Sequence, residues 1–425
     1  MPHILKYIYR IVYAALLLLS AAMAVRMAAS VDWTAYQNDY SSFLTAAGTL
    51  RTGHPDVFRT PVYPLLMALT QPLTADPLAP YPLLAINISL MLCSIEALRR
   101  LCLCMGLRRW TALALIAPYA LLPGMTAWTA IPISDSLGIS LTVIWLWATL
   151  RDAPGHNRAS SALWSSLLLL VLVFLRPAFI CLLPVSFLRW GYVFFKDGKR
   201  VGAAGLIGVT VTVVALGLYR AEIHRLYNIN SFTHVTSLNN LYLVIEHGVI
   251  SDEDAVTEVQ KRMMPVIREN CDTVCKDPLE IKFWYGFYPL PPDEMEDIVA
   301  RTMRRDPGGI AETLWLRLCD RFFTSEAVRK DLRGVYRLFS TTIGVLTLFY
   351  LFMAAVLMAA GRRLTSPIRS WTVWLSGTAI MAVAFLGAMF DYSRLIAPAI
   401  APSLILLGLA LSLFHFKKSA DEKLG

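Results

Sequence analysis

The segment between residues 30 and 80 contains the side chains with the clearest chemical potential. Asp39 lies in an amphipathic stretch, and Arg59 precedes the run Thr60-Pro61-Val62-Tyr63-Pro64. An aspartate is ionised at neutral pH and can accept a proton, whereas an arginine binds phosphate bidentately and keeps its charge. These residue types predict a site for an anionic ligand with a base beside it. The alternative, that Asp39 is only a helix-start charge or an interfacial solubiliser, stays open on spacing alone.

Four more charged residues fall on the same side of the predicted topology. Asp135 begins one hydrophobic span, Arg176 follows another, and Asp391 and Arg394 follow a third. Charged groups in or near a membrane are costly and are usually paired or functional, although a single one can be a snorkelling anchor. Several carboxylates and arginines on one face therefore predict a pocket for an anionic group.

The elements that must position these side chains are membrane helices. The chain has 425 residues, of which 56% are hydrophobic and 16% charged, and its mean hydropathy is +0.54. Soluble domains carry about 25% charged residues, and a membrane helix needs about 20 apolar ones. The sequence therefore predicts an all-α polytopic membrane protein with about ten transmembrane helices. The predicted spans are Tyr9–Ala29, Pro80–Leu98, Trp110–Trp128, Pro132–Leu150, Ser161–Leu175, Pro177–Phe195, Val201–Tyr219, Tyr336–Ala360, Ser370–Phe390 and Leu395–Phe416.

Lysine and arginine are concentrated in every second loop between these spans. Short cytoplasmic loops are enriched in both residues, so both termini are expected in the cytoplasm of a bacterial inner membrane. The pI of 9.2 is then a topology signal and gives little support to nucleic-acid binding. The first span is expected to be an uncleaved anchor, although Ala22-Met23-Ala24 resembles a signal-peptide cleavage site.

Three regions are expected along the chain. Residues 1–219 form an N-terminal transmembrane module with an amphipathic first outer loop (about 30–80) that lies in the membrane interface. Residues 220–335 form a small, mainly helical domain on the outer, periplasmic face, and residues 336–425 form the last transmembrane helices and a short cytoplasmic tail. Within the outer domain, Ser251 and the three acidic residues after it predict a helix start. A second helix is predicted at Asp293–Arg305, ending at Asp306-Pro307-Gly308-Gly309.

Two cysteines in the outer domain differ from the other five, which are isolated in apolar segments. Cys271 and Cys275 lie four residues apart. On a periplasmic face this spacing favours a local disulfide. A metal site is the weaker alternative, because no neighbouring histidines complete a ligand set.

The transfer of a sugar from a polyprenyl phosphate at the membrane surface fits these residue types. A carboxylate would take the proton from the attacking hydroxyl as the anomeric carbon is displaced. Arginines would stabilise the charge that grows on the leaving phosphate in the transition state. The expected partners are a polyprenyl-phosphate sugar donor, a glycan, lipid or protein acceptor, and membrane lipids, with no nucleic acid.

Several short motifs resemble the GT-C superfamily of membrane glycosyltransferases, which includes polyprenyl-phosphate-mannose-dependent enzymes and many bacterial members. The pattern covers most of the chain, although each motif is short and degenerate. The motifs are Asn38-Asp39-Tyr40 with Gly48, Gly53 and Arg59–Pro64, then Pro132–Ser136, Leu175-Arg176-Pro177, Asp306-Pro307 with Arg317 and Phe322, and Tyr392-Ser393-Arg394 with Pro398.

The resemblance implies an inverting transfer with Asp39 as the catalytic base. Arg59, Arg176 and Arg394 would then contact the donor phosphate. The expected acceptor-binding or supporting residues are Asp135, Tyr63, His54 and Asp391.

The sequence departs from the GT-C pattern in two places. Asn38 stands where many relatives have a second acidic residue, and Ser134-Asp135 stands where glutamate is common. No cofactor is firmly implied. Some relatives bind a divalent metal, but the sparse acidic residues of this first outer loop do not identify ligands.

Two other functions remain as alternatives. An O-antigen-type polymerase or ligase would have a similar span count and a large outer loop, but would use a lipid-diphosphate donor. The large loop here lacks an arginine-rich signature, and the Asp39 motif also argues against this class. A transporter or flippase would place ionisable residues at mid-helix and show inverted repeats, neither of which the sequence displays.

Overall fold

The computed structural model describes residues 2–30, 37–73, 80–121, 128–152, 158–246, 248–276, 291–321, 352, 367–387 and 397–421. Within these ranges the structure is helical, and no described residue lies in a strand. The α-helices are α1 Pro2–Ser30, α2 Gln37–Arg51, α3 Val62–Thr70, α4 Tyr81–Cys104, α5 Arg109–Leu121, α6 Ser134–Leu150, α7 Ala159–Leu175, α8 Leu182–Lys196, α9 Lys199–Tyr227, α10 His234–Ile245, α11 Glu258–Lys276, α12 Pro292–Arg305, α13 Pro307–Arg321, α14 Pro367–Gly387 and α15 Ile400–Asp421.

The protein is a helical membrane protein, and four helical segments of the described chain are long and apolar enough to cross a bilayer. They are His3–Ser30, Tyr81–Cys104, Pro177–Lys196 and Lys199–Tyr227. Shorter apolar helices occupy Ser134–Leu150 and Ala159–Leu175, where spans were also predicted. The predicted eighth span, Tyr336–Ala360, lies outside the described residues except for Phe352. The ten-span count therefore stays a prediction.

The main bundle is built from α4 and α6 to α9, with α1, α5, α14 and α15 packed against it. Its core contains large, fully buried side chains such as Trp145, Tyr119 and Trp190. Helices α8 and α9 pack closely at Gly202, where an added Cβ would lie 2.3 Å from the Phe194 backbone. Small residues allow such contacts between membrane helices.

The helical conformation is interrupted between α7 and α8 at Arg176. This residue is extended (φ −152°, ψ 128°), and Pro177 begins a 3₁₀ turn that leads into α8. The residue before a proline is disfavoured in the helical region, so the proline explains the break. The two predicted spans on either side are thus separate helices, and Arg176 lies at the gap between them.

Helices α2 and α3 form a hairpin, and this differs from the expectation of an interfacial helix. The apolar face of α2 is buried: Tyr40 and Phe43 join the main core together with Tyr63 and Met67 of α3. The turn at Gly53, with φ +83°, reverses the chain between the two helices. Pairing with α3 therefore covers a face that α2 alone would have presented to lipid.

A second hydrophobic core joins α10, α11 and α12 within the predicted outer domain. The residues between Ser251 and Asp254 form a capping box around a 3₁₀ turn rather than the start of a long helix. Ala255 is extended, and α11 begins only at Glu258. Asp254 is buried and is bound by Arg305, the last residue of α12, with Nε–Oδ1 at 2.9 Å.

The predicted helix at Asp293–Arg305 is confirmed with a start one residue earlier. This helix ends at Arg305, and a further helix, α13, begins at Pro307. The Asp306 carboxylate accepts the backbone N–H of Gly309 at 2.8 Å, as expected for a residue that precedes a helix.

Candidate functional site

A buried ion pair joins the start of α6 to the break before α8. The Arg176 guanidinium donates to the carboxylate of Asp135, whose side chain is 5% exposed, while that of Arg176 is 21% exposed. Asp135 lies in the first turn of α6, where a negative charge is favoured by the helix dipole. The Asn87 amide donates to the carbonyls of Thr129 and Ile131, which positions the segment before this helix.

A hydrogen bond brings the loop carrying Arg59 to the same place. The Thr60 hydroxyl donates to the Leu175 carbonyl at 2.9 Å, and both residues are buried. Arg59 precedes Thr60 and Arg176 follows Leu175, so the two arginines flank a single contact. The structure therefore brings together three of the sequence-predicted site residues, namely Asp135, Arg176 and Arg59.

The Arg59 side chain is held in a defined orientation. Its Nε donates to the Ser42 hydroxyl at 2.8 Å, and its guanidinium carbon lies 4.2 Å from the centre of the Phe43 ring. The Tyr63 ring packs edge-on against Phe43 with centroids 4.7 Å apart and is fully buried. Tyr63 thus supports the surface beneath Arg59, and a role for it in acceptor binding stays a prediction.

Asp39 lies in the first turn of α2, the helix that also carries Ser42 and Phe43. For residues 37–39 the structure describes the backbone alone. Asp39 therefore lies three residues before Ser42 and four before Phe43, the two residues of α2 that contact the Arg59 side chain. The role of Asp39 as a base stays a prediction.

Asp56 is a site-region residue that the sequence analysis did not identify. Its buried carboxylate accepts the backbone N–H groups of Phe58 and Arg59, both at 2.8 Å. Burial raises the pKa of Asp56 above its ordinary value, although these two hydrogen bonds and the positive charge of Arg59 oppose the shift. An aspartate two or three residues before its backbone donors is the pattern of an Asx-turn, which is the signal that could have identified it.

The same loop is fixed to the predicted outer domain by two hydrogen bonds to its backbone carbonyls and by one ring contact. The backbone N–H of His234 donates to the Val57 carbonyl at 2.8 Å, and the Tyr227 hydroxyl donates to the Pro55 carbonyl at 2.9 Å. The Phe58 ring stacks on the imidazole of His234 with centroids 5.4 Å apart. Burial lowers the pKa of His234, which favours the neutral imidazole at that contact.

The remaining predicted residues are not brought into this cluster by the described structure. His54 is exposed in the turn after α2. Asp391 and Arg394 lie outside the described residues. Cys271 and Cys275 lie on α11, in a part of the helix for which the backbone alone is described, so the predicted disulfide stays a prediction.

A metal site is not apparent in the described part of the chain. No three histidine, cysteine, aspartate or glutamate side chains among those residues converge in a way that could hold an ion. The metal requirement that the sequence analysis left open therefore gains no candidate ligands from these residues.

No protein-family model matches the chain, and no curated protein matches it in sequence. Solved structures of the oligosaccharyltransferase from the archaeon Archaeoglobus fulgidus resemble it in fold. The apo form gives a TM-score of 0.53 at 11% sequence identity over 97% of this chain. The same archaeal enzyme, AglB, in complex with an inhibitory peptide and a dolichol-phosphate gives 0.52 at 12% identity over 99% of this chain. In both cases the match covers 52% of the other chain, so this protein spans about half the length of those structures. The chain therefore shares its fold with about half of this oligosaccharyltransferase chain.

Proposed function

We propose that this protein is an integral membrane glycosyltransferase that moves a sugar from a polyprenyl-phosphate donor to an acceptor on the outer face of the inner membrane. The observation that carries the proposal is the convergence of Arg59 and Arg176 at the Thr60–Leu175 contact, next to the buried Asp135. Two guanidinium groups at a membrane-helix break suit the phosphate of a lipid-linked donor. The fold likeness to an enzyme whose structure holds a dolichol-phosphate supports the same class of donor.

The reaction follows from the residues around that contact. The leaving group is a lipid phosphate, and the negative charge that develops on it is stabilised by the arginines. Asp135 pairs with Arg176 and so fixes its orientation before the donor arrives, which lowers the cost of organising the site. Asp39, at the start of the helix that positions Arg59, takes the proton from the acceptor hydroxyl as it attacks the anomeric carbon.

The acceptor is expected to approach from the side of the outer domain. Val57 and Phe58 contact His234 of that domain directly, so the surface of the domain adjoins the Arg59 loop. A glycan, lipid or peptide acceptor bound there would reach the site without crossing the membrane. The two termini would lie on the opposite, cytoplasmic side of an inner membrane.

Transfer of radiolabel from a panel of polyprenyl-phosphate sugars into membrane acceptors tests the proposal. We expect wild-type membranes to transfer label from one of the donors and the Asp39→Asn variant, at equal expression, to lose the transfer by at least about 100-fold, the lower range for loss of a general base. Asp252→Asn is the matched control, because Asp252 is an exposed residue of the outer domain paired with Arg268.

Two results would contradict the proposal in different ways. Full activity of Asp39→Asn would remove Asp39 from the mechanism while leaving the reaction class intact. No transfer from any monophosphate donor would overturn the donor class, and a parallel panel of lipid-diphosphate sugars would then show whether the polymerase or ligase alternative applies.

A further inference from the structure

A basic cavity lies at the opposite end of the bundle from the candidate site. It has a volume of about 480 Å³ and lies where α4 and α6 end. Its lining consists of Arg100, Leu103, Cys104, Trp147, Arg151, Asp152 and Arg158. Because Asp135 begins α6 and Arg151 follows its last residue, the length of the helix separates the two sites by about 25 Å. The cavity is therefore distinct from the Arg59–Arg176 cluster.

Two of the cavity arginines are anchored in a way that leaves part of each guanidinium available. Arg100 donates through Nε to Glu96 at 2.6 Å, and Arg151 donates through Nε to the Ser161 hydroxyl at 2.9 Å. Both guanidinium carbons lie over the Trp147 ring, at 5.6 Å and 5.3 Å from its centre. The Trp147 ring thus contacts two cations, and the Nε hydrogen bonds of these arginines do not use their terminal nitrogen atoms.

The third arginine and the one carboxylate of the lining complete the charge distribution. The side chain of Arg158 has no hydrogen bond or ion pair with any residue of the described chain, whereas its backbone N–H donates to Asp152 at 2.8 Å. The backbone carbonyl of Asp152 also accepts from Arg369. The three arginines therefore outnumber the single carboxylate, which is already engaged at the start of α7.

We propose that this cavity binds a phosphate group, with the phosphate of an anionic lipid headgroup as the source that its position favours. Arginine terminal nitrogens bind phosphate oxygens through charge-assisted hydrogen bonds. Leu103 and Trp147 offer apolar surface beside the charges, as a headgroup attached to acyl chains requires. The arginines belong to loops predicted to be cytoplasmic, and basic pockets between membrane helices on that side bind anionic headgroups. The inference does not rest on the proposed glycosyl transfer, because no residue of the cavity belongs to that site.

Ligand-dependent thermal stabilisation of the purified full-length protein in detergent micelles tests this site. Separate titrations would use phosphatidylglycerol, phosphatidylcholine and inorganic phosphate. We expect phosphatidylglycerol to raise Tm at a lower concentration than phosphatidylcholine. Arg100→Gln and Arg158→Gln should each weaken the apparent affinity about fivefold, which corresponds to about 1 kcal/mol for each basic residue near an anionic surface. Stabilisation by inorganic phosphate that both substitutions weaken would also support the site and would identify a soluble phosphate as its ligand.

Two controls distinguish this cavity from a general preference for anionic lipid. Arg108→Gln removes an exposed charge from the same basic loop outside the cavity and should leave the titration unchanged. Glu96 keeps Arg99 and Tyr13 as partners in the Arg100→Gln variant, so that variant is expected to fold, and its Tm without ligand checks this. Equal responses to the two lipids with no response to phosphate would overturn the proposal. So would a loss of affinity in Arg108→Gln as large as the losses in Arg100→Gln and Arg158→Gln.

Discussion

The hydroxyl of Thr60 donates to the carbonyl of Leu175 at 2.9 Å and thereby joins the loop of Arg59 to the helix break of Arg176. The two residues are far apart in the chain, and neither carries a charge. Their contact nevertheless sets the spacing of the two arginines on which the proposed donor site depends.

Replacing Thr60 by valine should weaken donor use more than it weakens the fold. Valine keeps the shape and loses the donor, so we expect an unfolding cost of about 1 kcal/mol and a rise of about tenfold in the donor KM, because the arginines lose their relative position. Thr60→Ser should restore most of the activity. Thr70→Val is the control, since the Thr70 hydroxyl bonds only to carbonyls one turn earlier in α3, and it should leave KM unchanged.

The Asp135–Arg176 pair should be costly to break from either side. Asp135→Asn removes the negative charge that pairs with the Arg176 guanidinium in this contact, and removal of one member of a buried pair typically costs about 3–5 kcal/mol. Thermal unfolding in detergent would measure this cost. The double variant Asp135→Asn/Arg176→Gln should recover part of the stability but no activity. If the double variant lost as much free energy of unfolding as the two single variants together, the pair would not be energetically coupled.

The pairing of Asp254 with Arg305 should make the outer domain sensitive to acid. Burial of Asp254 raises its pKa, but the hydrogen bonds from Arg305 and the backbone of Ser251 outweigh this and lower it overall. A lowered folded pKa means that the stabilisation is fully present above the ordinary aspartate pKa of about 3.9 and is lost as pH falls through the folded value. We therefore expect Asp254→Asn to destabilise the protein at pH 7 by about 1–3 kcal/mol, and this effect to begin to decline as the pH falls below about 3.9.

Thermal unfolding from pH 3 to pH 7 would follow this dependence. Asp252→Asn disrupts the pair between Asp252 and Arg268, both of which are 62% exposed, and should cost little at any pH. A constant difference between wild type and Asp254→Asn across the range would contradict the pKa direction.

Helix α9 provides a matched test of close helix packing. In Gly202→Ala the new methyl group would meet the Phe194 backbone at 2.3 Å, so α8 and α9 must separate, and we expect a loss of about 1–3 kcal/mol. At Gly217 of the same helix nothing lies within 4 Å of an added Cβ. Gly217→Ala should therefore be neutral or stabilising by up to about 1 kcal/mol. Equal effects on Tm would show that α8 and α9 do not approach as closely as described.

The four helical segments that are long and apolar enough to cross a bilayer were predictable, because each coincides with a long apolar run in the sequence. The break at Arg176 follows from Pro177 in the same way. The prediction for α2 was incomplete, since an amphipathic pattern shows that a face will be buried but not whether lipid or another helix covers it. Here the covering element is α3, which begins only after the Gly53 turn.

The composition of the candidate site was harder to predict than the helices. Charge type and position singled out Asp135, Arg59 and Arg176, because charges at the ends of apolar spans are conspicuous. Thr60 and Asp56 were not assigned roles, because their importance depends on a carbonyl in a distant helix and on two local backbone donors. The Thr60 contact joins two uncharged groups and leaves no compositional signal, whereas Asp56 leaves only the local signal of an Asx-turn.

The attachment of the Arg59 loop to the outer domain has a thermodynamic consequence. Val57 and Pro55 are each bound by a residue at the start of that domain, His234 and Tyr227. If an acceptor held by the domain tightens these two bonds, the loop becomes better ordered for the donor. Linkage then requires reciprocity, so the donor must raise the affinity for the acceptor by the same factor. The order in which the two substrates bind would therefore leave their total binding free energy unchanged.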